Sequence, residues 1–266
     1  NMDIPFEKWE KAIKLRKSRR KYHNRELEPE KLAALKKLAQ EINQEFSKSR
    51  IIIKKTGFEE VRQKFVGSYG IVAGAKSYAI ILGDTEKSHF QIESGCAGEA
   101  LILEATAREI DTCWIGGFFE PQEVKQQIDI KKNEQVLAVT PLGYARNKTS
   151  ITEKILTKIL KSKDRQPLTE LCLGDSLEKA ESWMETALKA ARLAPSTANL
   201  QPWRFAIEDG GITILSTEDK KRHGVSPYLD CGVALFHLII GAGKEGVKLK
   251  TEYLEKPRVA HLSKVQ

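Results

Sequence analysis

Two stretches of this chain carry residue types that could do chemistry. In the run Ala194-Pro195-Ser196-Thr197-Ala198-Asn199-Leu200-Gln201-Pro202-Trp203, turn-formers, small polar groups and an aromatic stand where a helix empties into a strand. The side chains of Ser196 and Asn199, with several backbone amides, are left to face a ligand, as in a turn that cradles a cofactor. The plainer reading is a helix-ending loop in which Asn199 and Gln201 satisfy the backbone. The second stretch, Arg16-Lys17-Ser18-Arg19-Arg20-Lys21-Tyr22, sets five cations in seven residues. Such density suits an anion, and it is also what a solvated face or a helix-dipole partner looks like.

No side-chain catalyst is expected. His23, His89, His223, His237 and His261 show no metal-ligand spacing, and no serine-histidine-acid set follows from their order. His237, on an apolar helix, reads as a satisfied core residue. Cys96, Cys113, Cys172 and Cys231 lie far apart and never as C-x-x-C, so they read as buried free thiols. Gly241-Ala242-Gly243-Lys244 fails as a phosphate loop: Leu238 stands where its first glycine belongs, and Glu245 replaces the hydroxyl residue.

The elements that must position these stretches alternate along the chain. A helix through Phe6, Trp9, Ile13 and Leu15, with Pro5 at its first position, runs into the cations, and a second starts at Pro29. Ile51-Ile53 and Tyr78-Leu82 read as strands, Ser94 to Ile110 as a buried alanine-rich helix, Pro121 to Ile128 as a polar helix, and Glu134 to Tyr144 as a strand. The pattern then partly repeats. A segment at Leu168–Leu173 is followed by a helix capped by Ser176, a hairpin turning at Gly210-Gly211, and a helix from Asp230 to Glu245. Tyr228-Leu229-Asp230-Cys231-Gly232-Val233-Ala234 parallels Gln91-Ile92-Glu93-Ser94-Gly95-Cys96-Ala97, which suggests an internal duplication. Strands mixed with helices point to α/β or α+β architecture.

Composition bounds the rest. A chain of 266 residues, 41% hydrophobic and 30% charged, is long enough for a sizeable core of one or two domains. No apolar run approaches the roughly 18 residues of a membrane span, and Asn1 to Lys21 is too charged for a signal peptide, so a cytoplasmic protein with no membrane partner is expected. A net charge of +8 suits an anionic ligand. The lysine clusters are mixed with glutamates and carry no nucleic-acid signature, so no nucleic-acid partner is expected.

The run Ala194–Trp203 resembles the "APS-x-x-N-x-QPW" signature of the FMN-dependent nitroreductases, and Arg16, Ser18, Arg20 and Tyr22 match that family's opening "R-x-S-x-R-x-[YF]". Trp114-Ile115-Gly116-Gly117-Phe118 matches its later glycine segment. Family members are typically homodimers with two flavins at the subunit interface. Here the first part of the chain lacks the proline-asparagine turn and the last part lacks the arginine-rich start. The resemblance therefore implies an α+β nitroreductase-like fold of two half-units, 1–160 and 161–266, fused about a pseudo-two-fold, as in the TM nitroreductase branch. A single complete flavin pocket follows.

Carried over by position, Arg16 and Ser18 would hold the ribityl-phosphate side of FMN, with Arg20 near the N1 and O2 edge. Gly116 and Gly117 would bring backbone against the ring, and Pro195, Ser196 and Asn199 would close the pocket from the other half. Lys163 and Arg165 match the family's terminal "K-x-R" pair, which grips the phosphate; a basic linker would look the same. Gln201 and Trp203 are expected to be structural. The implied activity is transfer of hydride from NADH or NADPH through FMN to a small-molecule electron acceptor, a nitroaromatic or a quinone, by a monomer or a homodimer. The alternative is a flavin-binding protein without turnover.

Overall fold

The computed structural model of the chain describes residues 2–62, 72–146 and 164–265. Its frame is two antiparallel sheets. In the first, β1 (Ser49–Lys54), β2 (Ser77–Asp84) and β3 (Glu134–Leu142) lie in that order. The second sets β4 (Trp203–Glu208), β5 (Gly211–Ser216), β6 (Leu249–Tyr253) and β7 (Arg258–Lys264) in the order β4-β5-β7-β6. The helices are α1 (Phe6–Leu15), α2 (Pro29–Glu45), α3 (Phe58–Val61), α4 (Phe90–Ala107), α5 (Pro121–Gln127), α6 (Leu168–Leu171), α7 (Ser182–Ala191) and α8 (Pro227–Lys244). The expected division at 160/161 falls within residues 147–163, outside the described residues.

The apolar run of β2 has no alternation because both faces of the strand are covered. Ala79 and Ile81 enter the main core, while Tyr78, Ile80 and Leu82 meet Phe58, Val124 and Val139 in a second cluster. The expected hairpin is present, but its two-residue turn is Asp209 (φ 48°) and Gly210 (φ 69°), one residue earlier than Gly210-Gly211, because Gly211 already pairs with Glu208 as the first residue of β5.

Between the sheets α4 and α8 pack against each other, each buried almost all round. Their crossing is close enough to demand glycine. A Cβ on Gly95 would lie 2.3 Å from the Leu229 carbonyl oxygen, and one on Gly232 would lie 2.0 Å from that of Ile92. Gly95 and Gly232, like Ile92 and Leu229, occupy equivalent places in the two parallel sequence segments, so the contact is reciprocal.

The first helix anchors on this pair. Trp9 sits 5.8 Å from Phe236, and its indole donates to Glu104 (2.8 Å), which also takes the Lys8 ammonium (2.7 Å). Beyond α1 the chain runs extended and is stitched in place by Arg19 N–H to the Thr112 carbonyl and Tyr22 N–H to that of Ala73, both 2.9 Å. Extended backbone alternates its side chains. Arg16, Ser18 and Arg20 therefore share one side, while Arg19 turns to Asp111 (3.7 Å).

Three expectations need correction. Ser176 caps no helix: its hydroxyl donates to the Leu173 carbonyl (2.6 Å) and accepts Ile207 N–H (3.0 Å), and the helix begins at Ser182. Pro5 stands at the N-cap of α1 rather than inside it. Strands β6 and β7 were not anticipated. All four cysteines are buried and free. Among the described residues, no helix is long and apolar enough to cross a membrane.

Candidate functional site

A cleft of about 1190 Å³, its open mouth included, lies where the extended segment after α1, the loop after Thr112 and the turn before β4 converge. Arg16, Ser18, Arg20, Gly116 and Gly117 line it from one part of the chain, and Arg165, Pro195, Ser196 and Asn199 from the other. Lys163 lies outside the described residues. Sequence reasoning did not pick out Arg62, Trp114 and Asp230 as site residues, and all three also line the cleft.

The turn before β4 is held under backbone strain. Ala198, Asn199 and Gln201 all sit at positive φ (49°, 57° and 50°), a region that costs most residues free energy unless the surroundings fix it. The surroundings do. Ser196 Oγ accepts Gln201 N–H (2.9 Å), Gln201 Oε1 accepts Gln166 N–H (2.9 Å), and Asn199 Nδ2 donates to the Asp164 carbonyl (2.8 Å). From α8, Asp230 accepts both the N–H (3.0 Å) and the hydroxyl (3.3 Å) of Thr197. The polar groups of this stretch satisfy its backbone, and the turn so fixed lines the cleft. Trp203 and Gln201 are buried, as expected of structural residues.

The electrostatics are one-sided. Arg16, Arg20, Arg62 and Arg165 converge on the cleft, and Asp230 is the only carboxyl among its described lining residues. Arg62 is occupied by Glu59 (2.6 Å), and Arg165 is steered by Asn199 Oδ1 (2.7 Å). Burial, followed by the charges of Arg16 and Arg192, pushes Arg165 down to about 10, so it remains a cation at neutral pH. Asp230 is pushed up to about 7 by burial, with the Thr197 bonds pulling the other way. A cleft with this balance favours an anion.

Much of the remaining lining is apolar: Trp114, Ile115, Val225, Leu229 and Val233. The two glycines are needed here for a reason absent from the sequence reading. A Cβ on Gly117 would lie 1.8 Å from the His223 carbonyl, and one on Gly116 2.6 Å from Val225. The turn Arg222–Val225, with His223 and Gly224 at positive φ, seats directly on them. Cations, apolar side chains and a polar turn around one cleft fit the donor set that FMN requires: an anionic phosphate, a flat ring and a hydrogen-bonding edge.

Residues 8–242 match a protein-family model described as "Putative TM nitroreductase". A Mycobacterium tuberculosis protein described as "Putative NAD(P)H nitroreductase" is 30% identical over 80 residues, or 28% of this chain; the match spans only 23% of that relative. Among solved structures, a Thermotoga maritima protein described as a putative nitroreductase aligns with 98% of this chain and 96% of its own, at TM-score 0.59 and 20% identity. A Bacteroides fragilis nitroreductase with bound FMN aligns with 54% of this chain and 91% of its own, at 17% identity and TM-score 0.44. The Thermotoga maritima likeness extends over nearly the whole chain and shows a shared fold.

Proposed function

Because the chain belongs to the family described as "Putative TM nitroreductase", we propose that it is an FMN-dependent NAD(P)H oxidoreductase acting on nitroaromatic or quinone-type acceptors. The observation that carries this reading is the convergence of Arg16, Ser18, Arg20 and the Gly116-Gly117 pair with Arg165, Pro195, Ser196 and Asn199 on one cleft. These residues lie as much as 183 positions apart in sequence, and only the fold brings them together. The same convergence supports a single unit assembled from 1–160 and 161–266 about a pseudo-two-fold, as does the reciprocal glycine crossing of α4 and α8.

In this reading Arg16, Ser18 and Arg165 hold the phosphate side, and Asn199 keeps the Arg165 guanidinium aimed by its 2.7 Å bond. Arg20 stands at the pyrimidine edge as a fixed cation for negative charge that develops there; a charge already oriented costs little reorganisation. Trp114, Ile115, Leu229 and Val233 keep water from the ring. FMN, when bound, supplies the redox chemistry, taking hydride from a reduced nicotinamide and passing electrons to the acceptor. The chain's task is binding, orientation and charge, which needs no side-chain nucleophile.

One observation favours a second reading, flavin binding without turnover: the Arg222–Val225 turn seats on Gly116 and Gly117 and narrows the cleft from that side. Rapid mixing of the FMN-loaded protein with NADH or NADPH separates the two. Loss of the oxidised flavin absorbance near 450 nm, roughly on the seconds timescale or faster for an enzyme with turnover numbers in the usual range, and its return on adding a quinone, are expected. Flavin that binds but stays oxidised would replace the enzymatic reading with the binding one.

A further inference from the structure

Glu99 on α4 and His237 on α8 are fully buried, lie outside the cleft lining, and form a closed set of hydrogen bonds. Glu99 Oε2 accepts the indole N–H of Trp114 (2.8 Å), Glu99 Oε1 lies 2.8 Å from His237 Nε2, and His237 Nδ1 lies 3.0 Å from the Ala190 carbonyl on α7. A carbonyl can only accept, so Nδ1 carries a proton. One further proton is shared between Nε2 and Glu99, and whichever atom bears it the pair has no net charge. Removing it would set a bare nitrogen lone pair against a carboxylate where no water reaches.

An apolar pair of similar volume would fill this space at no desolvation cost. What the polar pair adds is an acceptor for one indole N–H, and that indole forms part of the cleft wall. The ring is also fixed at its far edge: a Cβ on Gly98 would lie 2.3 Å from Trp114 Cη2. A ring held by its nitrogen at one edge and by close packing at the other has a single orientation.

We infer that Glu99 and His237 are positioning residues whose joint task is to hold Trp114 as an oriented wall for the flat ring system bound in the cleft. The inference rests on the FMN reading above. It assigns the pair no proton transfer, because an indole N–H does not relay protons.

The test is titration of FMN into the flavin-free protein, read by flavin fluorescence, with a thermal melt of each variant beside it. Glu99→Gln keeps both contacts, its oxygen accepting from Trp114 and its amide donating to His237, so its affinity should stay within about threefold of wild type. The double variant Glu99→Met/His237→Leu leaves the Trp114 N–H without its acceptor, so it should fold but melt somewhat below wild type, and bind FMN about tenfold more weakly, the scale of one oriented aromatic contact. Trp114→Phe alone should show the same loss, and adding it to the double variant should cost nothing further.

Wild-type affinity in a folded double variant, or additive losses, overturns the inference. Should the double variant fail to fold, Trp114→Phe still decides, since unchanged affinity there also overturns it. A wild-type protein that does not bind FMN at all would instead remove the functional reading on which the inference rests.

Discussion

Asp230 shows how one residue couples the cleft to stability. The residue is 8% exposed, and burial pushes its carboxyl up to about 7 from the ordinary 3.8. A carboxyl that is harder to ionise in the fold than in the unfolded chain favours folding while protonated. Its contribution is complete below pH about 4, is lost as pH rises to about 7, and is constant beyond. At about 1.4 kcal/mol per pH unit, the ceiling on the loss is about 4 kcal/mol. Asp230→Asn keeps the shape and has no proton to lose. Urea denaturation at pH 4 and pH 8 should therefore show the variant gaining on wild type as pH rises, and equal changes in the two proteins would refute the assignment. The N–H of Thr197 would still find an acceptor in the asparagine oxygen, so the turn should survive the change. Asp230 also marks the limit of sequence reading at this scale. Residues within each half of the cleft were legible because their spacing is local, whereas the direction in which an acid on α8 points is fixed by tertiary packing. Its signal was the parallel with Glu93, visible only as a repeat.

At the scale of elements, the central crossing is the most demanding contact. Gly232→Ala would drive a methyl to 2.0 Å from the Ile92 carbonyl oxygen, a backbone atom that cannot swing aside. Gly174 is a useful contrast, since its φ of +57° strains any side chain but nothing lies within 4 Å of an added Cβ. Thermal or urea unfolding should find Gly174→Ala about 1 kcal/mol less stable and Gly232→Ala about 3 kcal/mol or more. A Gly232→Ala protein as stable as wild type would mean that the helices do not meet this closely. The sequence made both long helices and the β4–β5 hairpin readable, because unbroken apolar runs and an Asp-Gly-Gly stretch report burial and local geometry directly, although the turn residues are Asp209 and Gly210. The helix at Ser176 was misread for a physical reason: Leu177 and Ala180 fit a helical period, but the Ser176 hydroxyl is committed to Leu173 and Ile207, and the chain turns before Ser182. Strand β6 alternates exposed Lys250 and Glu252 with half-covered residues, a weak apolar signal that reads as loop.

The whole molecule raises the question of whether it holds one ligand or two. Under the 137-residue offset between the equal-length helices α4 and α8, the cleft residues Leu229, Asp230 and Val233 correspond to Ile92, Glu93 and Cys96. The correspondence extends to bonding: Asp230 accepts Thr197 N–H before β4, and Glu93 accepts Lys48 N–H (2.6 Å) before β1. At this second place the space is occupied by the chain itself. Tyr253, from the strand β6 that has no counterpart among the described strands of the first sheet, lies close to Glu93; His89 stacks on its ring at 5.4 Å, and the Lys48 ammonium lies 4.5 Å above the ring. Partial burial, with Cys96 and Glu93 close by, drives the Tyr253 phenol far above its ordinary range. The first sheet's turn is also too short to supply a proline-asparagine cradle, since only Phe46-Ser47-Lys48 separates α2 from β1. Titration of the flavin-free protein with FMN should therefore saturate at one equivalent per chain, and Tyr253→Phe, which retains the ring, should leave that number unchanged. A second equivalent binding with comparable affinity would mean that the aromatic plug yields to ligand, and that the two parts of the chain differ less in function than their residues do.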